Sequence, residues 1–341
     1  MGKIKIKSVL LILSLFLLSF NANAQSPIQL KLATFEPPKA FFANKVLGAW
    51  AEKVNKESNG RLEVKVFAGG VLGSPPQQYD NVTGGVSDIA WTVLGYIGGQ
   101  FPLSSVIELP FMTKSAKSGT YALNTLLDEG HLDKEFSGVK VIGLHSNPPY
   151  QMHFREENIT KPEQFNGKKM RVPSAMVGKI LKKLGATGVR VPAPGTFEAL
   201  QKGVLDGTPF PYSAIGSFRL GPVTKYHTEI NVTNATFGLL MNKEKYNSLP
   251  DDLKKVIDNN SGKGFYEWVA QLIDYNNSNQ RSNVFFMDGH QINVIKGAEL
   301  DKYKSILAPL EGEWLDEMNS KGLKGNAVLK RAKEVIASID K

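Results

Sequence analysis

The chain has 341 residues, room for one large domain or two, and its 42% apolar and 21% charged residues match a globular protein rather than a disordered one. It contains no cysteine, which excludes disulfide scaffolds, cysteine-ligated zinc, iron–sulfur clusters and thiol nucleophiles. Lys plus Arg outnumber Asp plus Glu by 41 to 32, a formal +9 scattered along the sequence, and such a charge sets solubility without pointing to nucleic acid as a partner.

Residues 1–24 open with Lys3, Lys5 and Lys7, continue through an apolar run from Val9 to Phe20, and end on Ala22 and Ala24. This is the pattern of a cleavable secretory signal, and the run is shorter than the roughly 20 residues a membrane-spanning helix needs. The expectation is an exported protein starting near Gln25, with 38 basic against 32 acidic residues, or +6. Without a cysteine after the cleavage site, lipid attachment by the usual bacterial route is not expected.

IQLKLA (28–33) alternates apolar and polar residues, as a half-buried strand does. Phe42, Val46, Trp50 and Val54 form a helix stripe over 39–59, which Gly60 ends. RLEVKVF (61–67) is a strand, 75–85 a helix, DIAWTV (88–93) a strand, 115–130 a helix and VKVIGL (139–144) a buried strand. The middle repeats the alternation: KKMRVP (168–173), a helix over 176–185, GVRVP (188–192) and a helix over 196–206. The stretch 225–241 has high β-propensity and is long enough to connect two domains. Pro250-Asp251-Asp252 starts a helix expected to run to about Arg281, with two more near 299–320 and 326–339. Strands and helices alternating in this way predict an α/β layered fold with largely parallel sheets.

Signals for chemistry are absent. The five histidines (131, 145, 153, 227 and 290) form no close metal spacing, and His153 and His227 read as structural. There is no nucleophile elbow and no phosphate-binding loop, and GYIGG (95–99) reads as a plain loop.

Five segments together resemble the extracytoplasmic solute-binding proteins of tripartite ATP-independent periplasmic (TRAP) transporters. They are GRLEVKVFAGGVLGSPPQQYDNVTGGVSDIAW (60–91), ELPFM (108–112), FNGKKMRVPSAMVGKILKKLGA (165–186), FEALQKGVLDGTPFP (197–211) and FGLLMNKEKYNSLPDDLKKVI (237–257). They occur in the family's order across nearly all of the chain after the signal. The resemblance implies a two-lobed α/β periplasmic binding protein fold, closing on its ligand by a hinge, with a long helix bracing both lobes. It suggests residues 26–146 plus 236–275 as lobe one and 147–235 plus 276–341 as lobe two. It also implies location in the periplasm, no enzymatic activity, no cofactor, and membrane permease subunits of the transporter as partners.

The same resemblance assigns Arg171, in GKKMRVP, to the ligand's carboxylate. A guanidinium offers two parallel N–H donors to two carboxylate oxygens and stays charged at any working pH. Two departures bear on the ligand. A second arginine carried by relatives that bind sialic acid or dicarboxylates has Tyr150 near its position, and Phe210 stands where the family often has asparagine. Ala193 falls where many relatives have phenylalanine, which leaves room for a larger ligand. The expected ligand set is Arg171, Phe210, Tyr212, Trp91, Thr92, Tyr150, Phe237 and Glu36, the last offering an acceptor to a ligand hydroxyl or amine. Thr208-Pro209 supplies no carboxylate where some keto-acid-binding relatives hold a metal, so no metal is expected. One charge among aromatic walls implies a monocarboxylate with an apolar or aromatic remainder. A periplasmic sensor docking on a receptor kinase and an exported hydrolase are the alternative readings.

Overall fold

A computed structural model describes residues 26–340, so the expected export signal lies outside the described residues. The first lobe is built on a five-stranded sheet of β1 (Ile28–Ala33), β2 (Leu62–Phe67), β3 (Ile89–Val93), β4 (Val139–Ser146) and β10 (Thr236–Asn242), ordered β2-β1-β3-β10-β4. The second is built on six strands, β5 (Gln151–Phe154), β6 (Lys169–Arg171), β7 (Thr187–Val189), β8 (Gly207–Phe210), β9 (Tyr226–Glu229) and β11 (Gln291–Val294), ordered β11-β9-β5-β8-β6-β7.

Both sheets are mixed rather than largely parallel. β1 runs parallel to β2 and β3, but β10 lies antiparallel between β3 and β4. In the second sheet β5 lies antiparallel between β8 and β9. Both inserted strands follow chain crossings between lobes, and a strand arriving from the other lobe need not share the direction that right-handed β–α–β connections impose. Every residue of β10 is buried, as befits a strand covered on both faces.

The β-rich stretch 225–241 is two strands in two different sheets, β9 and β10, separated by residues 230–235. Asn231 takes a left-handed conformation there (φ 49°), which asparagine tolerates better than most residues. This segment pairs with the β4–β5 crossing. Tyr150 N donates to Thr233 O at 2.6 Å, Asn147 N to Ala235 O at 3.2 Å, and Asn234 Nδ2 to Asn147 O at 2.7 Å. The hinge is thus a two-stranded ribbon. Glu108, from the ELPFM segment, clasps it: its backbone carbonyl accepts from Thr233 Oγ1 and its carboxylate from Thr236 Oγ1 at 3.1 Å.

A third crossing is the helix Lys263–Phe285. The expected single helix from Pro250 is instead two, Asp251–Asn259 and Lys263–Phe285, broken where Gly262 takes a positive φ of 53°. The second packs on the helix Ala116–Asp128 and on β4 in lobe one, and on the helix Tyr212–Ser217 in lobe two, so it braces both. Its carboxylate Asp274 accepts from the N–H groups of Ala116 and Lys117 at 2.8 and 3.0 Å, and Asn277 Oδ1 accepts from Ser213 N at 3.0 Å. Gly143 lets Phe265 sit against β4, since a Cβ there would stand 2.3 Å from the ring. Helices Gly297–Leu307 and Pro309–Ser320 divide at Pro309, a residue suited to a helix's first turn. The final helix, Gly325–Ile339, lies on Ala116–Asp128, with Arg331 paired to Glu129, and also meets Pro309–Ser320, where Lys333 pairs with Glu311.

Candidate functional site

Arg171 ends β6. Met170 before it points into the lobe-two core, and the guanidinium leaves the sheet at the strand's carboxyl end, where α/β sheets bind ligands. The arginine is only 1% exposed. Its Nε donates to Val191 O at 2.8 Å, Nη1 reaches Pro209 O at 3.5 Å, and Nη2 donates to Tyr96 Oη at 2.9 Å. Its Cζ lies 4.0 Å from the centre of the Phe210 ring, a cation–π stack that fixes the plane of the fork. All three hydrogen-bond partners are neutral. Among the described residues Arg61, Arg155, Arg281 and Arg331 each pair with an acid, Arg190 and Arg219 are exposed, and Arg171 is buried with no acid paired to it. A guanidinium has five N–H donors, so two remain on the Nη atoms. A buried cation without a counter-charge is costly, and binding an anion relieves that cost.

Tyr96 stands on lobe one, just after β3, and its phenol oxygen accepts from Arg171 Nη2 and from Ala193 N, both at 2.9 Å. With both lone pairs engaged, its O–H is left to donate. Tyr96 therefore joins the lobes at the arginine and adds a donor beside it. Tyr150 lies close by, 6.2 Å from Phe210 between ring centres. Burial pushes its phenol above the usual range, while Arg171 pulls the other way, so it stays a neutral hydroxyl.

The cavity beside these groups measures about 70 Å³. One wall is an aromatic stack contributed by β3, β4, β10 and the π-helical turn Phe42–Gly48. Trp91 and His145 are nearly coplanar (7°), with Trp91 Nε1 donating to His145 Nε2 at 2.8 Å. Phe42 and Phe237 each stack on both rings, at 4.5 to 4.9 Å between centres. Because Nε2 accepts, the His145 proton sits on Nδ1, facing Ser146 O at 3.3 Å. Burial pushes this imidazole down to about 3, so it is neutral and part of the wall. Phe35, Phe218 and Ile273 extend the apolar lining.

Glu36 lines the cavity too. It follows β1, is 6% exposed, and its Oε2 takes a long 3.4 Å bond from Ala43 N. Burial pushes its carboxyl up to about 7, against the opposing pull of the nearby Ala43 N–H, Ser217 hydroxyl and Phe42 N–H.

Of the expected ligand set, Arg171, Trp91, Tyr150, Phe210, Phe237 and Glu36 line one cavity, with Ala193 on its wall. Thr92 and Tyr212 do not. Alternation along β3 turns Trp91 and Val93 to the cavity and Thr92 to the opposite face. Tyr212 opens a helix after Pro211 and points to β9, donating to Glu229 Oε1 at 2.9 Å. Sequence reasoning missed Tyr96, Phe42 and His145 among other lining residues. His153 and His227 sit outside the cavity in a hydrogen-bonded row: His153 Nε2 to Phe210 O at 3.0 Å, His153 Nδ1 to His227 Nδ1 at 2.7 Å, and His227 Nε2 to His290 Nδ1 at 3.0 Å. The Phe210 carbonyl can only accept, so each ring in turn donates inward from His290.

A family model described as a bacterial extracellular solute-binding protein of family 7 matches residues 33–317. A TRAP solute-binding protein from a marine metagenome, described as specific for aromatic acid ligands and solved with 3-hydroxybenzoate, is 37% identical with a TM-score of 0.89 over 93% of this chain and 100% of that one. Another, from Rhodoferax ferrireducens and solved with copurified benzoate, is 33% identical with a TM-score of 0.87 over 91% and 98%. More distant is the C4-dicarboxylate-binding periplasmic protein DctP of Rhodobacter capsulatus, 23% identical over 292 residues, or 79% of this chain and 81% of that one. The chain belongs to the TRAP solute-binding proteins, bacterial extracellular solute-binding protein family 7.

Proposed function

We propose that this protein captures an aromatic monocarboxylate in the periplasm and delivers it to the membrane permease of a TRAP transporter. The observation that carries this reading is Arg171, a buried guanidinium with spare donors, no acidic partner among the described residues, and a cavity walled by aromatic rings in front of it. The ligand's carboxylate takes the two remaining Nη donors and the Tyr96 O–H, and its apolar part lies against the stack of Trp91, His145, Phe42 and Phe237. The aromatic acids bound by the two solved relatives support the same ligand class. Exchange of the Tyr96–Arg171 contact during hinge opening accounts for release, because the two residues stand on different lobes.

A thermal-shift panel tests the ligand class. Benzoate-like monocarboxylates are expected to raise the melting temperature by several degrees, since a ligand at a hundred times its Kd adds about 2.7 kcal/mol of stability. Succinate and glucuronate are expected to give little shift. The second carboxylate of succinate meets apolar rings or Glu36, and the hydroxyls of a sugar acid go unpaired against them. A larger shift with succinate or glucuronate than with any aromatic acid would reject the reading.

A further inference from the structure

The cavity has a second polar group that the carboxylate reading does not use. Glu36 is an acid among Phe35, Phe41, Phe42 and Phe218, with Ser217 beside it from the facing lobe. The N–H groups of Ala43 and Phe42 point at it from the start of the π-helical turn, and only the Ala43 contact, at 3.4 Å, falls within hydrogen-bond geometry. A carboxylate offers about four acceptor positions, so capacity is left on the cavity side.

We propose, resting on the aromatic-monocarboxylate reading, that Glu36 selects ligands carrying a ring hydroxyl on the part of the molecule remote from the carboxylate held by Arg171. A hydroxyl both donates and accepts. It gives its proton to Glu36 and takes one from the backbone N–H groups or Ser217. An ammonium group has no acceptor and leaves those donors unmatched. A plain ring leaves the carboxyl facing apolar carbon.

The selection is pH-dependent. The groups facing Glu36 are the Ala43 and Phe42 N–H, Ser217 on Tyr212–Ser217, and Asn276 on the bracing helix. Lys39 and Lys45 line the adjoining opening with Ser217 and Asn276, and neutral His145 and cationic Arg171 lie elsewhere on the cavity wall. Arg171 stays charged and His145 stays neutral across pH 6 to 8, which leaves Glu36 as the cavity group that titrates there. An unsubstituted aromatic carboxylate meets a second negative charge once Glu36 ionises, so its affinity falls as pH rises. A hydroxylated one gains a charge-assisted hydrogen bond from the same ionisation.

The test is calorimetry of benzoate and the three monohydroxybenzoates at pH 6 and 8, on wild type, Glu36→Leu and Glu36→Gln. In wild type at least one hydroxylated isomer binds roughly tenfold or more tighter than benzoate at pH 8, and the ratio shrinks at pH 6. Glu36→Leu collapses the ratio, tightening benzoate and weakening the hydroxylated ligand. Glu36→Gln keeps an acceptor but removes the pH dependence, and it serves if the leucine variant does not fold. Benzoate binding as tightly as every isomer at both pH values, or a ratio that Glu36→Leu leaves in place, overturns the role of Glu36 while leaving the aromatic-acid reading intact. Failure of all four acids to bind folded wild type overturns both.

Discussion

Arg171→Gln is expected to weaken binding of an aromatic monocarboxylate by roughly a hundred- to several-thousand-fold, the equivalent of the 3–5 kcal/mol lost when one partner of a buried ion pair is removed. The loss arises because the described residues lining the cavity include no second cation: its other donors are the hydroxyls of Tyr96, Tyr150, Ser213 and Ser217 and a few side-chain and backbone N–H groups. Arg171→Lys is expected to recover little, since a point charge does not reproduce two parallel donors stacked on Phe210. Tyr96→Phe removes one donor and the cross-lobe bridge to Arg171 and Ala193, and its loss should be smaller, about tenfold. Thermal unfolding separates a lost site from a lost fold. Arg171 is buried without a counter-charge in the ligand-free protein, so Arg171→Gln should melt no lower than wild type. Calorimetry showing Arg171→Gln within threefold of wild type would remove the arginine from the site.

Acid is expected to unfold the protein steeply below about pH 4.5, after a shallow region above it. His145 is fully buried and pushed down to about 3, and burial also lowers His153 and His227, which form a hydrogen-bonded row ending on Phe210. An unfolded histidine takes a proton near 6.5. Between that value and the lowered folded one the unfolded state holds more protons, so falling pH favours unfolding by about 1.4 kcal/mol per pH unit for each such histidine. Glu36, raised to about 7, and Glu108 and Glu135, also raised by burial, act in the opposite sense above the ordinary carboxyl value of 4.5, where the folded state holds the extra proton. Below 4.5 their unfolded forms protonate as well and the offset stops growing, while His145 continues to cost stability. Urea midpoints measured from pH 7 to 3.5 check this. A midpoint that stays level to pH 3.5 would mean the histidines are not held neutral.

The alternation of strands and helices was legible because its marks are local, whereas the two lobes came with the family resemblance. β1 and β2 alternate, helix stripes end at glycines, and the GKKMRVP segment carries the arginine on a short strand. The break at Gly262 also had a local sign, since Asn259–Gly264 (NNSGKG) is poor helix sequence, and so did the division of 225–241 at NVTNA. Alternation along β3 contained enough to turn Thr92 away from Trp91. Tyr96 left no such sign. Its role comes from Arg171 and Ala193, 75 and 97 residues later, and GYIGG has the composition of an ordinary loop. The aromatic stack is hidden for the same reason: Phe42, Trp91, His145 and Phe237 come from four elements and meet only through strand order β3-β10-β4. Tyr212 opens a helix after Pro211 that carries its phenol toward Glu229, a turn that the family position of Phe210, Pro211 and Tyr212 does not reveal.

A crystal structure of the protein with a bound aromatic monocarboxylate measures the arrangement most directly. The ligand's carboxylate is expected about 2.7–2.9 Å from the Arg171 Nη atoms and within hydrogen-bond reach of Tyr96 Oη, with its ring against Trp91, Phe42 and Phe237. A carboxylate directed at Glu36 or at solvent, or a ligand seated outside this cavity with Arg171 untouched, would contradict it.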